Sequence, residues 1–319
     1  MIGSNLVKHL VKLGHRVTVV DNLWRGSLDY LLDKTNHHVI DPERDFHPFD
    51  LAAPAQLDSL LYDVDFVCHL ADVVAGVDYV FKNEWDVYQA NMQINSNVLR
   101  SVFNSKIKGY LYVGTACSFP HTLQTGVNAQ PLVEENLYPA WPESAYGWSK
   151  LMGIYESELM SAASNIPVAN LVLHNVYGAP CDYSLEKAQV IPSLIRKAIE
   201  SEGEPLVVWG SGDQGRAFIH VDDVVSAIVT ALDCGWNQGI IQVGTSVCTP
   251  ISEIAEKIIN ISGKQIELQF DLEMPEGDQG RCADWSKAKR VLDWSPKVTL
   301  DEGLRRTYNW IGSELNSAG

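Results

Sequence analysis

Apolar positions along the first two thirds of the chain cluster in short, β-branched runs: HRVTVVD (15–21), VDFVCHLA (64–71), GYLYVGTA (109–116) and VANLVLHNVYG (168–178). Between them, segments 4–13, 85–104 and 146–164 repeat their apolar residues at helical spacing. Near-continuous apolar runs of strand length, alternating with helices, predict a doubly wound α/β fold on a parallel sheet. From about residue 179 the pattern loosens into longer loops, with further strand-like segments at PLVVWG (205–210) and KQIELQF (264–270). Stretch 219–243 is expected to return to the main sheet. No repeat, low-complexity tract or flexible linker separates the parts, so a main domain and a smaller lobe should share one cleft.

Composition narrows the partners. The chain carries 24 Lys and Arg against 40 Asp and Glu, a net charge of −16. Nucleic-acid and anionic-membrane surfaces need clustered basic side chains, so both are excluded as expected partners. A small anionic ligand is still accessible, because a few arginines and helix N-termini bind it locally. Six cysteines (Cys68, Cys117, Cys181, Cys234, Cys248, Cys282) are scattered without a CxxC pair or a neighbouring His cluster. Reduced thiols and no metal are therefore expected. With no signal-peptide pattern and no run of about 18 apolar residues, the expected setting is cytoplasmic.

The start of the chain departs from the doubly wound plan, in which a strand and a Gly-rich turn lead into a helix whose N-terminus receives a pyrophosphate. Here Met1-Ile2-Gly3-Ser4-Asn5 already enters the helix. Gly3 takes the place of the glycine needed for close helix packing. An N-terminally shortened form is thus expected, lacking roughly ten residues of strand and turn. The next run ends in Val20-Asp21-Asn22. A carboxylate at that strand end accepts both hydroxyls of an adenosine ribose and repels a 2′-phosphate, which favours NAD over NADP. Arg25 nearby could hold such a phosphate and blurs that preference. Asp50-Leu51 and His69-Leu70-Ala71 occupy the following strand ends. The expected division is residues 1–178 as dinucleotide-binding domain, with part of 215–245 returning to it, and 179–319 as mainly substrate-binding lobe.

Tyr146 and Lys150 are spaced i, i+4 and so share a helical face. A nearby ammonium lowers a phenol's pKa, which would let Tyr146 take a proton from a sugar hydroxyl as hydride leaves. The lysine can also hold the nicotinamide ribose. A Tyr-x-x-x-Lys pair by itself is common on helix surfaces. Its place about thirty residues after GYLYVGTA, which ends in Thr115, is far more specific.

With these residues in view, the chain resembles the extended short-chain dehydrogenase/reductase family of sugar-nucleotide epimerases and dehydratases. The resemblance spans the chain: IGSNLV, VVDN, Tyr146–Lys150, His174-Asn175-Val176-Tyr177-Gly178, Gly215-Arg216-Ala217-Phe218-Ile219-His220-Val221-Asp222-Asp223, and Arg281 with Asp284. It implies NAD as cofactor and a nucleoside-diphosphate sugar as substrate. The implied cofactor contacts are Gly3, Asp21, Asn22, Arg25, Asp50, Leu51, Leu70, Ala71, Tyr146, Lys150 and His174. Asn175 should meet the substrate diphosphate, Arg216 and Arg281 should clamp it, and Gln189, Lys197 and Gln214 should complete the substrate side. Two converging guanidiniums suit a diphosphate that stays fixed while the sugar turns. Dimerisation through two helices per subunit is implied as well.

Subfamily signals lie in Thr115-Ala116-Cys117. The 4,6-dehydratases and related decarboxylases carry an acid after the hydroxyl residue, so Ala116 and Cys117 disfavour them. A cysteine two residues on is similar to GDP-mannose 3,5-epimerases and GDP-fucose synthases, whose cysteine is an acid/base. Tyr138 to Glu143, Pro275-Glu276-Gly277 and the stretch 304–311 resemble the former. Those relatives place a second acid/base, Lys or His, where this chain has Gln189, and an amide cannot shuttle protons. Lys187, two residues earlier, is the substitute. The expected catalytic set is Thr115, Tyr146, Lys150, Cys117 and Lys187, in an epimerase that oxidises C4 transiently. A sugar-nucleotide 4-epimerase, an epimerase-reductase and a non-catalytic nucleotide-binding protein are the alternatives.

Overall fold

The computed structural model describes residues 1–53, 57–184, 186–274 and 277–318. Pro275 and Glu276, two residues of the motif preceding Arg281, lie outside them. In chain order the strands are β1 (Val19–Val20), β2 (Phe46–His47), β3 (Phe66–His69), β4 (Gly109–Thr115), β5 (Val168–Leu173), β6 (Asn175–Tyr177), β7 (Leu206–Trp209), β8 (Gly215–Arg216), β9 (Phe218–His220), β10 (Ile240–Val243), β11 (Thr249–Pro250), β12 (Leu268–Asp271) and β13 (Gly280–Arg281). The main sheet is parallel with order β10-β5-β4-β3. Helices cover both faces, as the apolar runs of β4 and β5 require. Leu111, Leu171 and Ile241 pack with Leu6, Val224 and Ile228 on one side. Tyr110, Tyr112 and Val172 meet Val98, Leu151 and Ile154 on the other. A separate core joins helices Val190–Glu200, Ile251–Ser262 and Leu300–Ala318 through residues such as Ile195, Ile254 and Leu304.

Two predicted strands are altered. The run 168–178 is not one strand but two, because the backbone changes partner at His174. His174 N–H donates to Val243 O at 3.1 Å, whereas Asn175 N–H donates to Ala217 O at 3.0 Å. β6 therefore leaves the main sheet and pairs in parallel with β9. That handover puts Asn175 and Tyr177 over the second lobe. The run 15–21 shrinks to β1, which pairs only with β2. Among the described residues no ladder joins the facing edges of β1 and β3, and no other segment takes the central place. Leu6, Leu10, Val19 and Val67 line the gap. β7, by contrast, falls within the 205–210 pattern, while β12 takes up only the end of the 264–270 pattern, and the two pair in parallel.

Candidate active site

Thr115 ends β4, and its Oγ1 accepts from Cys117 N–H at 3.3 Å, capping a single turn over Ala116–Ser118. The helix Ala145–Ser164 starts beside that turn, capped by Ser144, whose Oγ accepts from Gly147 N–H at 3.3 Å. Gly147 makes the approach feasible. A Cβ there would overlap the Cys117 carbonyl and lie 2.9 Å from Pro142 Cβ. This contact brings Tyr146 into hydrogen bonding with Thr115. One turn on, the Lys150 ammonium is buried against Asp72, with side-chain exposures of 4% and 0%.

The expected effect of Lys150 on Tyr146 is not met in the structure. The phenol is held above its ordinary range, first by burial and then by Cys117 and Asp72, with Thr115 and Arg25 opposing. The ammonium's charge is cancelled locally by the Asp72 carboxylate, so little of it is felt by the ring.

Across the cleft, Arg281 has every branch engaged. Its Nε donates to Gln124 Oε1 and one terminal nitrogen to Asp278 Oδ2. The other terminal nitrogen donates to Cys117 Sγ at 2.9 Å. Burial opposes its charge, but Cys117, Asp278 and Glu143 outweigh that and hold the guanidinium above its usual range. Arg216, buried on the neighbouring strand β8, is lowered to about 10 by burial and then by the positive charge of Arg281. Glu143 is raised, by burial first and by the Asp278 carboxylate second. A guanidinium whose charge is disfavoured by a neighbouring one gains from an anion between them. Cys248, two strands from Cys282, has its thiol lowered chiefly by a hydrogen bond from Cys282.

A cleft of about 1840 Å³ gathers Asp72, Glu143 and the two arginines with the Thr–Tyr–Lys set. That exceeds the roughly 300–1,000 Å³ of a single-ligand pocket, partly because it runs on into the gap between β1 and β3. Gly3, Asp21, Arg25, Leu51, Leu70, Ala71, His174, Asn175, Gln189, Lys197, Gln214, Arg216 and Arg281 line it, together with Thr115, Cys117, Tyr146 and Lys150. The residues fit a dinucleotide on a physical count: Asp72 and His174 line this cleft, and their buried Oδ1 and Nδ1 have no partner among the described residues. Unpaired buried polar atoms are costly, and polar ligand atoms relieve them.

Asn22, Asp50 and Lys187 do not line the cleft, and several of the other expected contacts already have partners within the protein. Asn22 and Asp50 hydrogen-bond each other at 3.3 Å on the surface. Asp21 Oδ1 accepts from Leu23 N–H at 2.7 Å, so one oxygen fixes the turn. Arg25 pairs with Asp182 at 3.3 Å and donates to Val74 O, and so offers no ready pocket for a 2′-phosphate. A Cβ on Gly3 would touch nothing within 4 Å, so close helix packing does not require glycine there. Lys187 lies over the Trp24 ring at 4.8 Å and does not line the cleft. Gln189 caps the helix Val190–Glu200 without a side-chain bond. Lys197 reaches Val207 O at 3.5 Å, and Gln214 Nε2 donates to Trp209 O at 3.1 Å. No group of three metal-ligating side chains occurs among the described residues.

Asp72, Gln124 and Asp278 carry the site's electrostatics and were not singled out from sequence. Asp278 could have been, since it precedes Arg281 by the three residues that put an acid within its reach.

A parallel doubly wound sheet with a Thr–Tyr–Lys set at its C-terminal edge defines an enzyme of the short-chain dehydrogenase/reductase type. The chain belongs to the NAD-dependent epimerase/dehydratase family, whose model matches residues 1–244. GDP-mannose 3,5-epimerase of Arabidopsis thaliana is 26% identical over 316 residues, covering 98% of this chain and 80% of the relative. UDP-N-acetyl-alpha-D-glucosaminuronate decarboxylase of Bacillus cytotoxicus is 28% identical, covering 97% and 94%. Among solved structures, UDP-glucose 4-epimerase of Thermotoga maritima with UDP-glucose superimposes with a TM-score of 0.86 at 25% identity, covering 99% of this chain and 96% of that one.

Proposed function

We propose that the chain epimerises a nucleoside-diphosphate sugar in the manner of a GDP-mannose 3,5-epimerase, through transient oxidation at C4. The observation that carries this reading is the 2.9 Å contact of Cys117 Sγ with the buried Arg281 guanidinium, in the cleft that also holds Tyr146. A 4-epimerase moves no proton on a ring carbon and has no use for a thiol fixed there.

NAD supplies the acceptor, and then the donor, of the C4 hydride. Tyr146 takes the C4 hydroxyl proton and returns it, with Thr115 sharing the bond and Lys150 fixed one turn away. The C4 ketone acidifies the neighbouring C–H bonds. Cys117 removes one such proton, and a proton exchanged with solvent is returned on the other face of the ring. Arg216 and Asn175 receive the diphosphate, while Arg281, held by Gln124 and Asp278, keeps Cys117 in place. The second acid/base of such enzymes has no counterpart: Gln189 is an amide and Lys187 is turned to Trp24. One exchanging centre is therefore expected. Incubation with GDP-mannose and NAD in deuterated water, followed by NMR, should place deuterium on one ring carbon with no build-up of NADH. A new sugar without deuterium would instead support a 4-epimerase, the reading that likeness to the UDP-glucose 4-epimerase favours.

We also read the protein as a cytoplasmic homodimer. No helix described is long and apolar enough to cross a membrane. Trp148, Tyr155 and Leu159 are exposed on one side of the helix Ala145–Ser164, which packs beside the helix Glu84–Phe103. This apolar stripe fits a second copy of itself. Light scattering should give twice the chain mass, and a Tyr155→Glu/Leu159→Glu variant should give the chain mass. A monomer in the unmodified protein rules the reading out.

A further inference from the structure

Asp72 follows β3 at the C-terminal edge of the main sheet, where Leu70 and Ala71 line the coenzyme side of the cleft. Its side chain is fully buried, yet only one oxygen has partners. Oδ2 accepts from Lys150 Nζ and, at 3.4 Å, from the Tyr112 hydroxyl. Oδ1 has none. Lys150 is held further by the Tyr112 ring, 4.5 Å from its centroid. The surrounding groups leave this pair as the local charge. His69 is lowered to about 4, chiefly by burial, and stays neutral. Tyr110 and Tyr112 are raised well above their usual range by burial and then by Asp72. From the helix Glu84–Phe103 the facing groups are the uncharged Asn91 and Asn95. Beyond them, Tyr146 faces Cys117, Asp72, Thr115 and Arg25.

Burying both ions costs several kcal/mol each before their attraction is counted, so stability is a weak reason for such a pair. We propose that Asp72 is a positioning residue that acts through Lys150: it fixes the ammonium for the coenzyme's ribose and cancels its charge, so that the cationic, oxidised nicotinamide is accepted. The assignment rests on the catalytic reading of Tyr146 and Lys150 given above. Removing the carboxylate leaves an uncompensated ammonium. That repels NAD⁺ but not NADH, and it favours ionisation of Tyr146.

The test is Asp72→Asn, with NAD⁺ and NADH each titrated by tryptophan fluorescence. The ratio of the NAD⁺ to the NADH dissociation constant should rise by about tenfold, and the acid limb of kcat should move down by about one pH unit, the size of a single nearby charge. The double variant Asp72→Asn/Lys150→Met, which removes both charges, should return the ratio to within about twofold of the unmodified protein, taking local charge pairs as approximately cancelling. It also serves if the single variant does not fold. Equal weakening of both coenzyme forms with an unmoved pH limb makes Asp72 a packing residue and overturns the proposal, as does an unchanged ratio. Should the unmodified chain turn over no sugar nucleotide, the function proposed above fails, while the two coenzyme titrations still decide the role of Asp72.

Discussion

Tyr146→Phe should lose turnover by about 10²–10⁴-fold, the usual worth of a positioned acid/base group, while sugar-nucleotide binding changes little. The substitution removes one oxygen from a ring whose surroundings are otherwise preserved. Thr115 then has no hydroxyl to share the substrate proton with, and nothing else beside it can take the role. Cys117 is engaged by Arg281, and Lys150 by Asp72. The pH profile carries a second expectation. Burial, Cys117 and Asp72 all hold the phenol in its protonated form, so activity should climb on the alkaline side, beyond the ordinary phenol value of about 10, as the base form becomes available. Steady-state kinetics across pH, with binding followed separately by calorimetry, check both. Turnover within about fivefold of the unmodified enzyme would mean that another group takes the hydroxyl proton.

Much of this site can be read in the chain, and the remainder has a physical reason for being hidden. The Tyr146–Lys150 spacing and the hydroxyl at the end of the 109–116 run are local features, set by helix and strand periods, and the structure brings all three together. The partners that set their charge are not local. Asp72 meets Lys150 across 78 positions, and Gln124 meets Arg281 across 157. Nothing in a helical period foretells such pairs. The same limit explains β5 and β6. Residues 168–178 have unbroken β-type composition, and the switch at His174 is made by backbone partners, Val243 and Ala217, that composition does not encode. Lys187 illustrates a third case. Its number places it near the start of a substrate-facing helix, but an ammonium on a flexible stem follows the nearest aromatic face, here Trp24.

Cys117→Ala should abolish deuterium uptake from solvent while leaving hydride transfer to NAD⁺ detectable, because it separates the two proton paths of the proposed reaction. Tyr146 and Thr115 act on a hydroxyl, and their hydrogen bond does not pass through the sulfur. Loss of Sγ removes the one group placed to act on a ring C–H, and leaves one Arg281 nitrogen without its partner. That nitrogen is buried, so a modest fall in stability of about 1–3 kcal/mol is expected, the cost of an unsatisfied donor. Cys117→Ser tells the two effects apart. A hydroxyl still accepts from the guanidinium and restores stability, but it is far too weak an acid to exchange the carbon-bound proton. Single-turnover absorbance at 340 nm, mass spectrometry of the recovered sugar nucleotide and urea unfolding give the three readouts. Deuterium uptake that persists in Cys117→Ala at the unmodified rate would reduce the thiol to a ligand of Arg281 and assign the carbon-bound proton to another group in the cleft.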